Sequence, residues 1–248
     1  MKFSGKNVLI TGASRGIGAA AAKLLASYGL KVWVNYLNNK KAAKEIVKEI
    51  KKNGGIAEKI QFDVSNESEF HNAISKILNE DGTLSYLVNN AGKTDDVISL
   101  KMSVESFKNI IDNNLVSTFI GCKEAANVMR MNQFGSIVNI SSIVAETGNA
   151  GQASYSASKG GILSLTKTLA QELAPLRIRV NVITPGLVET DMSNKIPEGI
   201  KNKFKSQIPM KRFGDVNEIA YSIAFLLSDH SSYITGETLK VNGGLNMV

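Results

Sequence analysis

Short apolar runs recur along this chain, at 7–10, 32–34, 57–62, 86–88, 136–140, 178–183 and 239–241, and the stretches between them repeat with a helical period. Runs this short suit strands. In 42–52, Ile46 and Ile50 mark one apolar face of a helix and lysines the other. Strict alternation of strand and helix permits few folds: the strands lie parallel, the crossovers are right-handed, and helices cover both faces. The expectation is an α/β fold, a doubly wound parallel sheet. Ligands of such sheets bind beyond the carboxyl ends of the strands. That rule brings Gly12, Asn90, Ser142 and Pro185-Gly186 to one edge.

The first run meets Thr11-Gly12-Ala13-Ser14-Arg15-Gly16-Ile17-Gly18 and then an alanine-rich helical stretch. Strand, glycine turn and helix start form a phosphate cradle, because glycine lets the backbone approach and the helix N–H groups attract an anion. The spacing is Gly-x-x-x-Gly-x-Gly, different from the general Gly-x-Gly-x-x-Gly dinucleotide pattern. A tight turn without a ligand is the plainer alternative.

Tyr155 and Lys159 lie one helical turn apart, with Ser141-Ser142 closing the run at 136–140. A phenol and an ammonium at i and i+4 share a helix face. A tyrosine ionises near pH ~10, and a neighbouring cation is expected to pull that value toward neutrality. The serine adds a hydroxyl to polarise a substrate oxygen. Taken alone, Tyr-x-x-x-Lys also fits an ordinary exposed helix. Ser141 and Ser142 are rivals, and strand alternation points them oppositely.

Together these residues resemble the short-chain dehydrogenase/reductase family over nearly the whole chain. Thr11 to Gly18 is similar to its cofactor loop, Asn89-Asn90-Ala91-Gly92 to the segment after its fourth strand, and Ser142, Tyr155 and Lys159 to its catalytic set. Asn114 matches a fourth catalytic position, though by itself it reads as a helix-bending or capping residue. Within the family the resemblance is to β-ketoacyl-[acyl-carrier-protein] reductases, carried by 148–152, 185–192 and 235–244. It implies a single Rossmann-type domain over 1–248, with the cofactor region at about 1–140 and the catalytic and substrate region at about 141–248. Cofactor residues implied are Gly12, Ser14, Arg15, Gly16, Ile17, Gly18, Asn35, Tyr36, Asp63, Val64, Asn90, Ala91, Gly92, Tyr155, Lys159, Pro185, Gly186, Val188 and Thr190. The same resemblance implies that Ser142 and Tyr155 hold the substrate. Asp63 reads alternatively as the cap of the next helix.

Charge favours NADPH. A site selective for NAD offers a carboxylate after the second strand, whereas this strand ends in Asn35-Tyr36-Leu37. Arg15, Lys40 and Lys41 supply cations for a 2′-phosphate. The two lysines also fit a solvated helix start.

Composition bounds the rest. At 248 residues and 43% hydrophobic content, the chain suits one large α/β domain. Apolar stretches fall short of the ~20 residues of a membrane span, and the N-terminus lacks a signal core. A cytoplasmic protein without membrane partners is expected. Cys122 sits in a packed helical setting and, with only His71 and His230, a metal site is poorly supplied. The excess of 29 Lys and Arg over 22 acids favours acidic partners, and no basic segment interleaved with aromatics suggests nucleic acid.

The partner implied by the resemblance is an acyl carrier protein bearing a β-ketoacyl group, with the chain a homotetramer built partly from the Tyr155 helix and the last strand. The carrier-docking arginines of that subgroup fall on Gln133 and Leu176, leaving Arg130 and Arg177 as substitutes. Asp95 adds negative charge near the mouth. Other readings are a reductase of a different ketone or of a coenzyme A thioester, and a non-catalytic dinucleotide-sensing or interaction protein.

Overall fold

The computed structural model describes residues 1–189 and 198–247. Its first half runs β1 (Asn7–Ile10), α1 (Gly16–Ser27), β2 (Lys31–Tyr36), α2 (Lys40–Lys52), β3 (Ile56–Gln61), α3 (Glu67–Asp81) and β4 (Tyr86–Asn89). Then come α4 (Val104–Ile111), a π-helical turn (Asp112–Val116), α5 (Ser117–Met129), β5 (Gly135–Ile140), α6 (Val144–Thr147) and α7 (Ala153–Leu173). β6 (Ile178–Pro185), α8 (Glu198–Gln207), α9 (Val216–Leu227) and β7 (Thr238–Val241) complete it.

The strands form one sheet in the order β3-β2-β1-β4-β5-β6-β7, every pair parallel. The chain winds outward from β1 to β3, returns to the centre, and winds the other way from β4 to β7. The turnaround lies between β1 and β4, where a doubly wound sheet opens its crevice.

Alternation along each strand feeds two cores. Val8, Ile10, Val32 and Val34 face α1, α2 and α9, while Leu9, Trp33 and Leu87 face α3, α5 and α7. Strands covered on both faces read as unbroken apolar runs, which is why they were visible in the sequence. In α2 the buried stripe is Ala43, Val47 and Ile50, and Ile46 packs at its margin. At the amino edge of the sheet, Asp81 accepts from Asn7 Nδ2 at 2.8 Å and from Trp33 Nε1 at 2.8 Å, and pairs with Lys31.

Asn39, Asn66 and Ser103 cap α2, α3 and α4, and Asp215 with Glu218 forms a capping box on α9. Asp63 is therefore not the cap of α3. Its Oδ1 instead accepts from the backbone and hydroxyl of Ser65, at 2.9 and 2.7 Å, a local turn that leaves the cap to Asn66. α1 begins after an extended Arg15 with no side-chain cap bond and no acid in its first turn, so its leading N–H groups stay available to an anion. No helix among the described residues is long and apolar enough to cross a membrane.

Candidate active site

The carboxyl ends of β1, β4, β5 and β6 place Gly12, Asn90, Ser142 and Gly186 along one edge, and α7 rises beside them. β5 ends at Ile140, so both serines lie just beyond it. Ser141 turns into the core, its hydroxyl donating to the Lys159 carbonyl at 2.8 Å. Ser142 stays half-buried, with its hydroxyl near enough to the Tyr155 phenol to favour the phenolate. Lys159 is 3% exposed; its Nζ donates to the Ile140 carbonyl at 2.8 Å and stands 5.7 Å from the Tyr155 ring centre.

Burial decides the charges of this trio. Desolvation pushes the Tyr155 phenol above its ordinary value, the Ser142 hydrogen bond opposes that, and the Asp96 carboxylate adds to it. Burial pushes Lys159 down to about 8. The expectation of a phenol pulled down by its cationic neighbour is thus reversed. Both groups lose water, and that cost outweighs their attraction.

Asn114 sits at the centre of the π-helical turn and is fully buried. Such a turn lets one residue bulge from the helix, and π turns concentrate at functional sites. The Asn114 side chain accepts from the Lys93 amide at 2.9 Å and donates to the Lys93 carbonyl at 2.9 Å and to Ser158 Oγ at 3.0 Å. The Ser158 hydroxyl donates to the Tyr155 carbonyl at 2.7 Å. Helix bending and proximity to the turn that carries Tyr155 therefore coincide in one residue. A Cβ on Gly92 would lie 3.2 Å from Asn114 Oδ1 and 3.4 Å from Lys159 Nζ, so that loop passes over both.

The glycine turn fits a dinucleotide phosphate. Gly12 has φ +61°, and a Cβ there would lie 2.9 Å from Ala91 Cα. A Cβ on Gly18 would stand 2.6 Å from Asn90 Nδ2 and 2.7 Å from the Gly12 carbonyl. Only backbone fits these positions. Thr11 Oγ1 accepts from the amides of Asn90 and Ala91 at 2.9 and 3.0 Å, and Asn90 Nδ2 donates to the carbonyls of Thr11 and Gly12 at 3.0 and 3.1 Å. Ser14, Gly16 and Ile17 are half-buried around the turn, and Arg15 is exposed.

Residues expected from β2 and β3 divide between two tasks. Asn35 is buried, accepting from the Gly12 amide at 3.0 Å and donating to the Phe62 carbonyl at 3.1 Å, so its side chain braces the turn from behind. Tyr36 is buried, with its hydroxyl 3.3 Å from Gln61 Oε1. Asp63 and Val64 are half-buried just after β3. On the far side, the Ile143 amide donates to the Pro185 carbonyl at 3.0 Å and the Gly186 amide to the Val241 carbonyl at 2.9 Å. Val188 is buried and bridges Gly214. Thr190 lies outside the described residues.

A family profile described as "Enoyl-(Acyl carrier protein) reductase" matches residues 12–246. The chain belongs to the short-chain dehydrogenase/reductase family. It is similar to proteins named 3-oxoacyl-[acyl-carrier-protein] reductase FabG, at 42% identity in Staphylococcus epidermidis over 98% of this chain and 99% of that one. Those of Aquifex aeolicus and Rickettsia typhi are 42% and 44% identical, over 99% of both chains. Membership in a short-chain reductase family makes this an oxidoreductase of a nicotinamide dinucleotide.

For a short-chain reductase, two placements were not visible in the sequence. Gln133 and Arg177 precede β5 and β6 with φ of 52° and 59°, and Arg130 and Leu176 lie beside them. These positions sit at the amino edge of the sheet. Ser142 and Tyr155 are at the carboxyl edge, roughly 20 Å away along a six-residue strand. The second concerns acids near the mouth. Asp95 is held by the Ser106 hydroxyl of α4, whereas Asp96 reaches Gln152 and acts on Tyr155. Asp96 and Ser158 carry no motif, and only their partners mark them. Cys122 is buried with its thiol pushed up to about 12 by desolvation, inert as its helical setting suggested.

Proposed function

We propose that this chain catalyses NADPH-dependent reduction of a β-ketoacyl group carried on an acyl carrier protein, giving the β-hydroxyacyl form in fatty-acid elongation. The observation that carries the reading is the convergence of the Ser142 hydroxyl and the Tyr155 phenol beside the buried Lys159 ammonium. Two O–H donors converge there, which suits a carbonyl oxygen gaining charge. A ketone oxygen takes both the developing charge and the proton, so the pair can complete its reduction without a further group. The names of the relatives support the same substrate class.

When bound, a nicotinamide dinucleotide would supply the hydride that the ketone carbon takes up. As negative charge develops on the substrate oxygen, Ser142 donates a hydrogen bond and Tyr155 delivers its phenolic proton. The Lys159 ammonium stabilises the phenolate left behind. Asn114, fixed by Lys93 and Ser158, anchors the route by which that phenolate regains a proton. Gly12, Gly16 and Gly18 hold the pyrophosphate against the start of α1. Arg15, with Lys40 and Lys41, receives a 2′-phosphate, and no carboxylate at the end of β2 opposes it.

A cytoplasmic homotetramer is part of this proposal. Val116 and Phe119 present apolar surface near α5, and β7 leaves a sheet edge with Leu239 and Val241 half-buried. Such surface offers another chain an apolar contact and an open sheet edge.

Absorbance at the reduced nicotinamide band tests the reading, with a β-ketoacyl thioester on acyl carrier protein as substrate. NADPH is expected to be oxidised rapidly and NADH more slowly. Bound NADPH with no oxidation of it would overturn the proposal.

A further inference from the structure

At the mouth of the crevice stands a carboxylate that the proposed reaction does not use. Gln152, one turn ahead of Tyr155, donates from Nε2 to both carboxylate oxygens of Asp96, at 3.0 and 3.1 Å. Its Oε1 accepts from Asn149 Nδ2 at 3.0 Å, so the amide is fixed at both ends. The Thr94 hydroxyl also donates to Asp96. All these donors are neutral. Asp96 is exposed and makes no ion pair among the described residues. Its charge is fixed in place without being neutralised, close enough to act on the Tyr155 phenol.

We propose that Asp96 is a specificity-determining residue, a charge filter that admits neutral β-keto esters and thioesters and turns away free β-keto acids. The inference rests on the ketone-reductase reading above. A substrate whose ketone oxygen lies between Ser142 and Tyr155 carries its acyl carbon two bonds from the ketone carbon. In a thioester that group is neutral; in the free acid it is a carboxylate. The buried Lys159 ammonium would attract such an anion to the phenol, and Asp96 sets an opposing charge at the entrance. Like charges ~8 Å apart in a medium of effective dielectric ~20 repel enough to lower binding roughly tenfold or more. The free acid is the hydrolysis product of the thioester, so the filter separates activated acyl groups from spent ones.

The test compares acetoacetate with its neutral ethyl ester, using NADPH and the intact protein. The wild type is expected to prefer the ester by at least tenfold in kcat/KM. Asp96→Asn keeps an acceptor for Gln152 and removes the charge, and the acid-to-ester ratio should rise about tenfold. The wild type provides a second readout needing no variant: raising salt from ~10 mM to ~0.5 M screens exposed charge and should raise the same ratio. An unchanged ratio in folded Asp96→Asn, or no salt effect in the wild type, would overturn the filter. Equal use of acid and ester would overturn the filter alone. Reduction of neither compound by protein that does reduce the carrier-bound thioester would overturn the filter alone, and failure on all three would overturn the ketone reading and the filter with it.

Discussion

Lys159 Nζ donates to the main-chain carbonyl of Ile140, the last residue of β5, at 2.8 Å. That bond seats a 3% exposed ammonium at the end of a central strand. Burial lowers the lysine to about 8, against about 10.4 in the unfolded chain. Folding then expels a proton between those values. The cost of the buried charge is present in full below pH 8 and disappears as pH rises past 10. The wild type should gain stability relative to Lys159→Met over that window, by about 3 kcal/mol at most. Denaturant melts of both proteins at pH 7 and pH 10 measure it, and parallel pH curves would contradict it. The variant should also lose turnover.

Tyr155→Phe removes the proposed proton donor and keeps the ring. Turnover should fall 10²- to 10⁴-fold with NADPH binding retained, and Ser142→Ala should cost ~10²-fold. Because burial raises the phenol, the wild type should remain protonated and active through neutral pH. Stopped-flow rates and a fluorescence titration of NADPH separate chemistry from binding.

Gly18 has no room for a side chain, with Asn90 Nδ2 2.6 Å and Ala13 Cα 2.9 Å from an added Cβ. Gly18→Ala should push the glycine turn off Asn90 and weaken NADPH binding by more than tenfold. Calorimetric titration gives the answer, and wild-type affinity would mean that the turn does not hold the cofactor.

Arg15 is exposed beside the turn. A charge-assisted contact with a 2′-phosphate is roughly twice as strong as a neutral one. Arg15→Ala should reduce the NADPH-to-NADH ratio of kcat/KM about tenfold, mainly through KM for NADPH. A ratio that does not move assigns the preference elsewhere.

Asp81 draws Asn7, Lys31 and Trp33 to one carboxylate. Burial pushes it up, but those three donors together pull it below the ordinary carboxylate value. A depressed acid stabilises the fold above its unfolded pKa and loses that contribution as pH falls through the folded one. Asp81→Ala removes the acceptor shared by the three, leaving Asn7 with Thr83 and Lys31 with Glu80, and should cost about 2 kcal/mol at pH 7, less below about pH 4. Thermal melts at both pH values check the sign.

Local order explains how much was legible. The strands were readable because both faces are covered and their apolar runs are unbroken, as in Val8-Leu9-Ile10 and Val32-Trp33-Val34. Gly12 and Gly18 were readable because a positive φ or the close approach of Ala91 and Asn90 admits no side chain. Tyr155 and Lys159 were readable from a four-residue spacing on one helix. The alternative of Asp63 as the cap of α3 falls away because Asp63 and Asn66 are equally good cap residues, and only the backbone of 63–66 selects Asn66.

The order of strands and helices and the glycine turn were legible in the chain alone, as was the candidacy of one phenol, one ammonium and one hydroxyl. Those depend on neighbours within a turn or on a period. Only the tertiary structure decided their charges and their company. Desolvation of Tyr155 and Lys159, the π turn that presents Asn114 to Lys93 and Ser158, and the clasp of Gln152 on Asp96 all join segments distant along the chain. Burial and long-range contact are properties of packing, and no local pattern encodes them.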